Sequence, residues 1–215
     1  MSNFGLLLAI TEPKPELEAE FNAWYDTEHI PERVSIPGFL SARRWVADTR
    51  PGEGKYLATY ELVSPGVLLT TEYLGHAGEH FTPWSKRMLA NATVFRRWAC
   101  EQIVPGEAEP HMMAHALFAA IGDSPHEHEA EFNRWYDEEH LPLLSRVPGV
   151  LRARRFFDPR GTPRYIALYD LADESVPQHP DWQATLRTGW ARRIDKLTGS
   201  CEWILRLYRS YTPSA

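Results

Sequence analysis

EAEFNAWYDTEH at residues 18–29 and EAEFNRWYDEEH at residues 129–140 are one segment written twice, 111 positions apart. The repetition continues downstream. IPGFLSARR (36–44) matches VPGVLRARR (147–155) at the same offset, KYLATYEL (55–62) matches RYIALYDL (164–171) at an offset of 109, and TPWSKRM (82–88) matches TGWARRI (188–194). CEQI from Cys100 matches CEWI from Cys201. Ordered matches of this kind mean an internal duplication, so each half is read as one structural unit before any local pattern is weighed.

Within each half the periodicities change in a fixed order. Residues 5–10 and 114–121 are short apolar runs with strand character. Residues 16–30 and 127–141 have helical spacing and are expected to be closed by Pro31 and Pro142, since proline cannot continue a helix comfortably. Pro37-Gly38 and Pro148-Gly149 mark turns into a second strand, and DTRPGEGK and DPRGTPR mark turns into a third. A second helix follows near residues 83–90 and 181–196, then a fourth strand. The order β-α-β-β-α-β is the ferredoxin-like one, a four-stranded antiparallel sheet with helices on one face. Its bare face must be buried. The expected architecture is therefore α+β, two ferredoxin-like repeats (residues 1–104 and 113–215, linker 105–112) packed as an intrachain pseudo-dimeric α+β barrel. VLLTTEYLGHAGEHF (67–81) has no full counterpart in the second half, so the halves are not expected to be interchangeable.

Composition narrows the class of protein. Of 215 residues, 43% are apolar and 24% charged, and no apolar run reaches the roughly 18 residues of a membrane span. The N-terminal apolar run lacks a basic leader and reads as a strand rather than a secretory signal. A net charge of -6, with basic residues scattered among acids, argues against nucleic acid as a partner. Cys100 and Cys201, read as equivalent positions in the last strand of each half, suggest two buried small hydrophobes and a reducing cytoplasm.

The duplicated helix carries the candidate chemistry. On a regular wheel of about 100° per residue, Leu17, Phe21, Trp24 and Tyr25 form the core stripe and Glu28 falls inside it, as Glu139 does among Phe132, Trp135 and Tyr136. A carboxylate there needs a partner, and alternation on the second strand places Arg44 and Arg155 toward the helices. The expected pairs, Glu28 with Arg44 and Glu139 with Arg155, act either as buried salt bridges or as catalytic, substrate-orienting carboxylates. His29, Asn22, Tyr25 and Asp26 share one helix edge, repeated as His140, Asn133, Tyr136 and Asp137. A histidine in the last turn has its pKa raised by the helix dipole and suits proton transfer near neutral pH, or else caps the helix.

Tyr56, Tyr60, Tyr165 and Tyr169 alternate on the third strands, and Trp84 and Trp190 open the second helices; such rings either wall a flat ligand or are core. His76, Glu79 and His80 occur only in the first half, where a loop or lid role is expected over metal binding. His111, His115, His126 and His128 are expected at the surface. No glycine-rich phosphate loop, nucleophile elbow or paired-cysteine metal motif is present.

WYDTEHIP and WYDEEHLP, each followed by Pro-Gly and a strand, resemble the EthD-like branch of the dimeric α+β barrel superfamily, once per half. The resemblance implies a pocket between each sheet and its helices, lined by His29 and His140. It also implies an enzyme drawn from cofactor-independent cyclases, dehydratases, decarboxylases, lactone isomerases and monooxygenases, or haem-binding relatives.

The function expected from these readings is acid/base chemistry on an aromatic or carbonyl-containing small molecule, as a lyase, dehydratase or isomerase, with no cofactor and no metal. His29 or His140 would be the acid/base. Tyr25 or Tyr136 and Asn22 or Asn133 would orient the substrate, with Arg44, Arg155, Glu28 and Glu139 behind them or as an anion anchor, and Tyr60, Tyr169, Trp84 and Trp190 as walls. A binding protein without chemistry and a haem- or metal-dependent enzyme stay open as alternatives. The expected setting is cytoplasmic, without nucleic acid or membrane, as a monomer with an internal pseudo-dimer or as a homodimer.

Overall fold

The computed structural model describes residues 3–105, 109–110 and 112–213. His111 and residues 106–108 of the expected linker lie outside the described residues. The chain forms two compact units: one runs to Gln102 and takes in the segment from Ser210, and the other is Ile103–Arg209.

In the first unit β1 (Gly5–Pro13) pairs antiparallel with β3 (Tyr56–Leu62) and β4 (Ala92–Val104), and β2 (Phe39–Val46) pairs with β3, giving the order β4-β1-β3-β2. Strand alternation turns Leu7, Ala58 and Tyr60 toward Phe21 and Trp24 in one apolar cluster. The opposite face, with Leu6, Leu8, Leu57 and Trp98, is buried too. The second unit has the same connectivity. There β5 (Ala116–Gly122) pairs with β7 (Tyr165–Leu171) and β8 (Trp203–Ser210), and β6 (Val150–Phe157) pairs with β7. The Pro-Gly turns form as the sequence implies. Gly38 and Gly149 take φ of 95° and 89°, which a side chain resists, and Val67 and Val176 occupy the space their Cβ atoms would need.

The first helix departs from regular geometry. α1 (Glu18–Trp24) passes through a π turn (Tyr25–His29) into α2 (Ile30–Ser35), and α5 (Glu129–Trp135) passes through Tyr136–His140 into α6 (Leu141–Leu144). Contrary to expectation, Pro31 and Pro142 do not end these helices. Each proline comes just after the widened turn with one residue between, where a regular i−4 bond is already interrupted, so the missing N–H and the ring clash cost less than in a regular helix.

The second helical region is also split. The first unit has α3 (Thr71–Leu74) and α4 (Pro83–Ala90), and the second has α7 (Pro180–Thr185) and α8 (Gly189–Thr198) rather than one helix over 181–196. The break comes at Thr188, whose hydroxyl accepts the Ala191 N–H at 2.9 Å and starts a new helix. The segment 67–81 therefore has a shortened counterpart after Val176. Glu20 with Arg87 and Glu131 with Arg193 tie first helix to last in each unit through two short bonds each.

The cysteines are not equivalent. Cys100 lies opposite Leu6 within β4 and is buried, whereas Tyr208 takes that place opposite Leu117 in the second unit. Cys201 precedes β8 and is half-buried, because the shared CE dipeptide is out of register with the strands.

Candidate functional site

A π turn places side chains five residues apart on one face, and this decides what each unit turns toward its sheet. His140 stacks on Trp135 at 4.1 Å and 26°, and His29 lies against Trp24 at 4.5 Å and 36°. The histidines thus take the core-facing place that a regular wheel assigns to the glutamates. Glu28 instead accepts from Thr82 at 2.6 Å, Ser85 at 3.2 Å and the Trp24 indole at 3.2 Å; Glu139 accepts from Thr188 at 2.6 Å and Trp135 at 3.1 Å.

The expected pairs of Glu28 with Arg44 and Glu139 with Arg155 do not form. Arg44 bonds Asp26 at 2.8 Å and Asn22 at 2.5 Å, and the ring of Tyr211 stacks 3.9 Å from its guanidinium. Arg155 bonds Asn133 at 2.7 Å and lies 3.7 Å from Asp137. Asn22, Asn133 and the two arginines therefore belong to polar networks that also hold Tyr56 and Tyr165, separate from the histidines.

Burial reverses the expected electrostatics. His140 is 7% exposed, and loss of water, then the Arg155 charge, lowers its pKa to about 3. His29 is lowered to about 3 by burial, then by Arg33 and Arg44. The helix-end dipole is too weak to offset desolvation of an imidazolium. Both rings are thereby held neutral near pH 7. Tyr136 is pushed the other way, up to about 12, again by burial.

In the second unit a cavity of about 300 Å³ opens between sheet and helices. Its walls are Phe118, Trp135, Tyr136, Tyr169, Trp182 and Trp203, with His140 among them and Asp195 as the one charged lining residue among the described residues. The His140 Nδ1 and the Tyr169 hydroxyl are buried without hydrogen-bond partners among the described residues. Trp203 can form a wall because its ring lies on Gly122, where an added Cβ would come within 2.3 Å of it.

The corresponding cavity of the first unit is about 50 Å³. Tyr25, His29 and Tyr60 line it, the repeats of Tyr136, His140 and Tyr169. The difference lies in the other walls. Arg33 replaces Leu144, and the paired registers set Arg97 where the second unit has Leu205. Phe81 and Tyr73 close the remaining space, while α8 runs 10 residues against 8 in α4 and carries Thr198 and Gly199 into the larger cavity wall.

Glu28, Glu139, Trp84 and Trp190 line neither cavity; Trp84 bonds Glu20, and Trp190 stacks with Arg134. His76 and His80 do not share a helix face: His76 pairs with Glu32 at 2.9 Å, and Gly78 turns the chain between them. His115 and His126 are exposed and His128 half-buried. Among the described residues no cluster of three His, Cys, Asp or Glu side chains could hold a metal ion, and no helix is long and apolar enough to cross a membrane. Sequence reasoning missed Trp182 and Trp203. Trp182 was readable from its spacing after Val176, matching Tyr73 after Val67, and Trp203 only from the strand register.

No protein-family model and no curated protein sequence matches the chain. Solved structures do match over nearly its whole length. An anthrone oxidase-like protein has a TM-score of 0.62 at 15% identity, covering 99% of this chain and 92% of its own. A chlorite dismutase variant from Candidatus Nitrospira defluvii gives 0.62 at 9%, covering 98% and 92%. A proposed monooxygenase from Lactobacillus acidophilus NCFM gives 0.58 at 9%, covering 97% and 93%. These names overturn the expectation of a cofactor-free lyase, dehydratase or isomerase, since they point to oxidative chemistry. The chain shares the fold of these proteins.

Proposed function

We propose that the second unit binds a flat, largely apolar aromatic compound bearing a phenol or carbonyl and supports its oxidation by dioxygen. The observation that carries this reading is the cavity of about 300 Å³, walled by aromatic rings, with His140 and Tyr169 in its lining, whose Nδ1 and hydroxyl are buried without hydrogen-bond partners among the described residues. Its size is at the low end of small-molecule sites, roughly 300–1,000 Å³. The oxidase-like relative suggests an anthrone-type substrate. The change would replace a CH₂ between aromatic rings by C=O, one oxygen atom entering the product and the other leaving as water. Neutral His140 would accept a hydrogen bond from a phenol without taking its proton, and Tyr169 would donate to a carbonyl.

Haem, which the chlorite dismutase relative brings into question, does not fit this cavity. His140 could offer a nitrogen, but among the described residues no arginine or lysine lines the wall to meet haem's two carboxylates, and Asp195 would repel them. Binding without turnover is a second reading, favoured by the absence of a lining histidine that titrates near neutral pH.

We also assign the two WYD-EH segments to the EthD-like branch, with each unit as one ferredoxin-like repeat. Cys100 and Cys201 are not joined in a disulfide, which suits the cytoplasm.

The test is anthrone turnover, followed by oxygen uptake and quinone absorbance against the spontaneous rate. Wild type should accelerate oxidation and bind the ligand with quenching of tryptophan fluorescence. Leu144→Arg, which imports the first unit's wall residue, should lower affinity at least about tenfold, an expected cost of about 1.4 kcal/mol. Unchanged affinity in that variant would remove the cavity as the site, and binding without oxygen uptake would select the second reading.

A further inference from the structure

The small cavity of the first unit carries charge where its repeat is apolar. Arg33 is 2% exposed and lies over the rings of Tyr73 at 5.4 Å and Phe81 at 5.6 Å. One of its amino groups, Nη2, donates to the His76 carbonyl and stands 3.3 Å from Glu32. The other, Nη1, is buried with no hydrogen-bond partner among the described residues, as is His29 Nδ1, while the buried Tyr60 hydroxyl has the Tyr25 hydroxyl beside it. Arg33, His29 and Tyr60 line the same cavity. Exposed Arg97 completes the wall and donates to the Tyr73 hydroxyl at 3.1 Å.

A buried guanidinium N–H without an acceptor is costly, and the fold does not demand one here, because Leu144 fills the equivalent place in the second unit. Glu32 balances one arginine and also serves His76, which leaves the wall with an excess of positive charge. About 50 Å³ is far less than the aromatic ligand of the second unit occupies but has room for a small ion, since one water needs roughly 10–15 Å³ of such space.

We propose that this cavity binds one small monovalent anion, of the size of chloride or nitrate, on Arg33 Nη1 and the Tyr60 hydroxyl, with Arg97 at the entrance. The site is independent of the oxidation assigned to the second unit. The same positive potential, after burial, keeps His29 neutral.

The test is thermal unfolding of the full chain at constant ionic strength, with chloride or nitrate replacing gluconate, an anion too large for the cavity. A ligand that binds only the folded state raises Tm with its concentration. The expected result is a Tm rise whose titration gives one dissociation constant for wild type, weakened at least about tenfold in Arg33→Leu, with the variant's fold checked by circular dichroism. A rise of equal size in that variant, or one that follows general salting strength with no ion specificity, overturns the proposal. Should Arg33→Leu fail to fold, wild-type crystals soaked in bromide decide: an anomalous peak between Arg33 and Tyr60 supports the site, and its absence there refutes it.

Discussion

Each buried imidazole is a liability in acid. His140 and His29 titrate near 3 in the folded chain against an ordinary 6.5, so between those limits the unfolded chain binds more protons and stability falls as pH falls. Their neutral forms stabilise fully above about pH 6.5, and that contribution is lost as the pH drops toward 3. Per histidine the slope approaches roughly 1.4 kcal/mol per pH unit. His140→Phe should therefore flatten the decline in urea midpoint between pH 6 and 4 by about one proton's worth; an unaltered slope would show that the ring is solvated. At this scale the sequence shows which residue types recur, but not which of two neighbours faces inward. Glu28 and His29 are adjacent, and only the path of the backbone separates a residue held by Thr82 and Ser85 from one packed on Trp24.

That path belongs to the element. A π turn inserts one residue into the helical phase and so rotates everything after it, while strand alternation and Pro-Gly turns, which are local, read correctly from sequence. The turn is held in place through Glu139, which accepts from Thr188, the residue that also caps α8. Thr188→Ala removes both bonds and should cost about 1–2 kcal/mol in chemical unfolding, with a weakening of aromatic ligand binding because α8 supplies Ile194 and Thr198 to the cavity wall. A loss of stability with ligand affinity intact would mean that the cap acts on the helix alone. Trp203 is hidden for a related reason: its role rests on the bare Gly122 paired with it on the neighbouring strand, and on a register that the CE dipeptides misalign.

For the chain as a whole, duplication made the connectivity of each unit legible, because the same spacings occur twice. It concealed the asymmetry. Repeated His, Tyr and Trp residues imply two equal pockets, yet Arg33 for Leu144 and Arg97 for Leu205 reduce one to about 50 Å³ and leave the other near 300 Å³. Calorimetric titration with an aromatic ligand should accordingly give one molecule bound per chain. Two equivalent sites would show that Arg33 and Phe81 swing aside.

Tyr211 covers Arg44 and reaches Asp26 at 3.3 Å across 185 residues of sequence. On a ribosome, the first unit is therefore made early but cannot be finished early: the guanidinium of Arg44 waits, one flank in water, until the last strand of the second unit has emerged and the chain has come back to where it began.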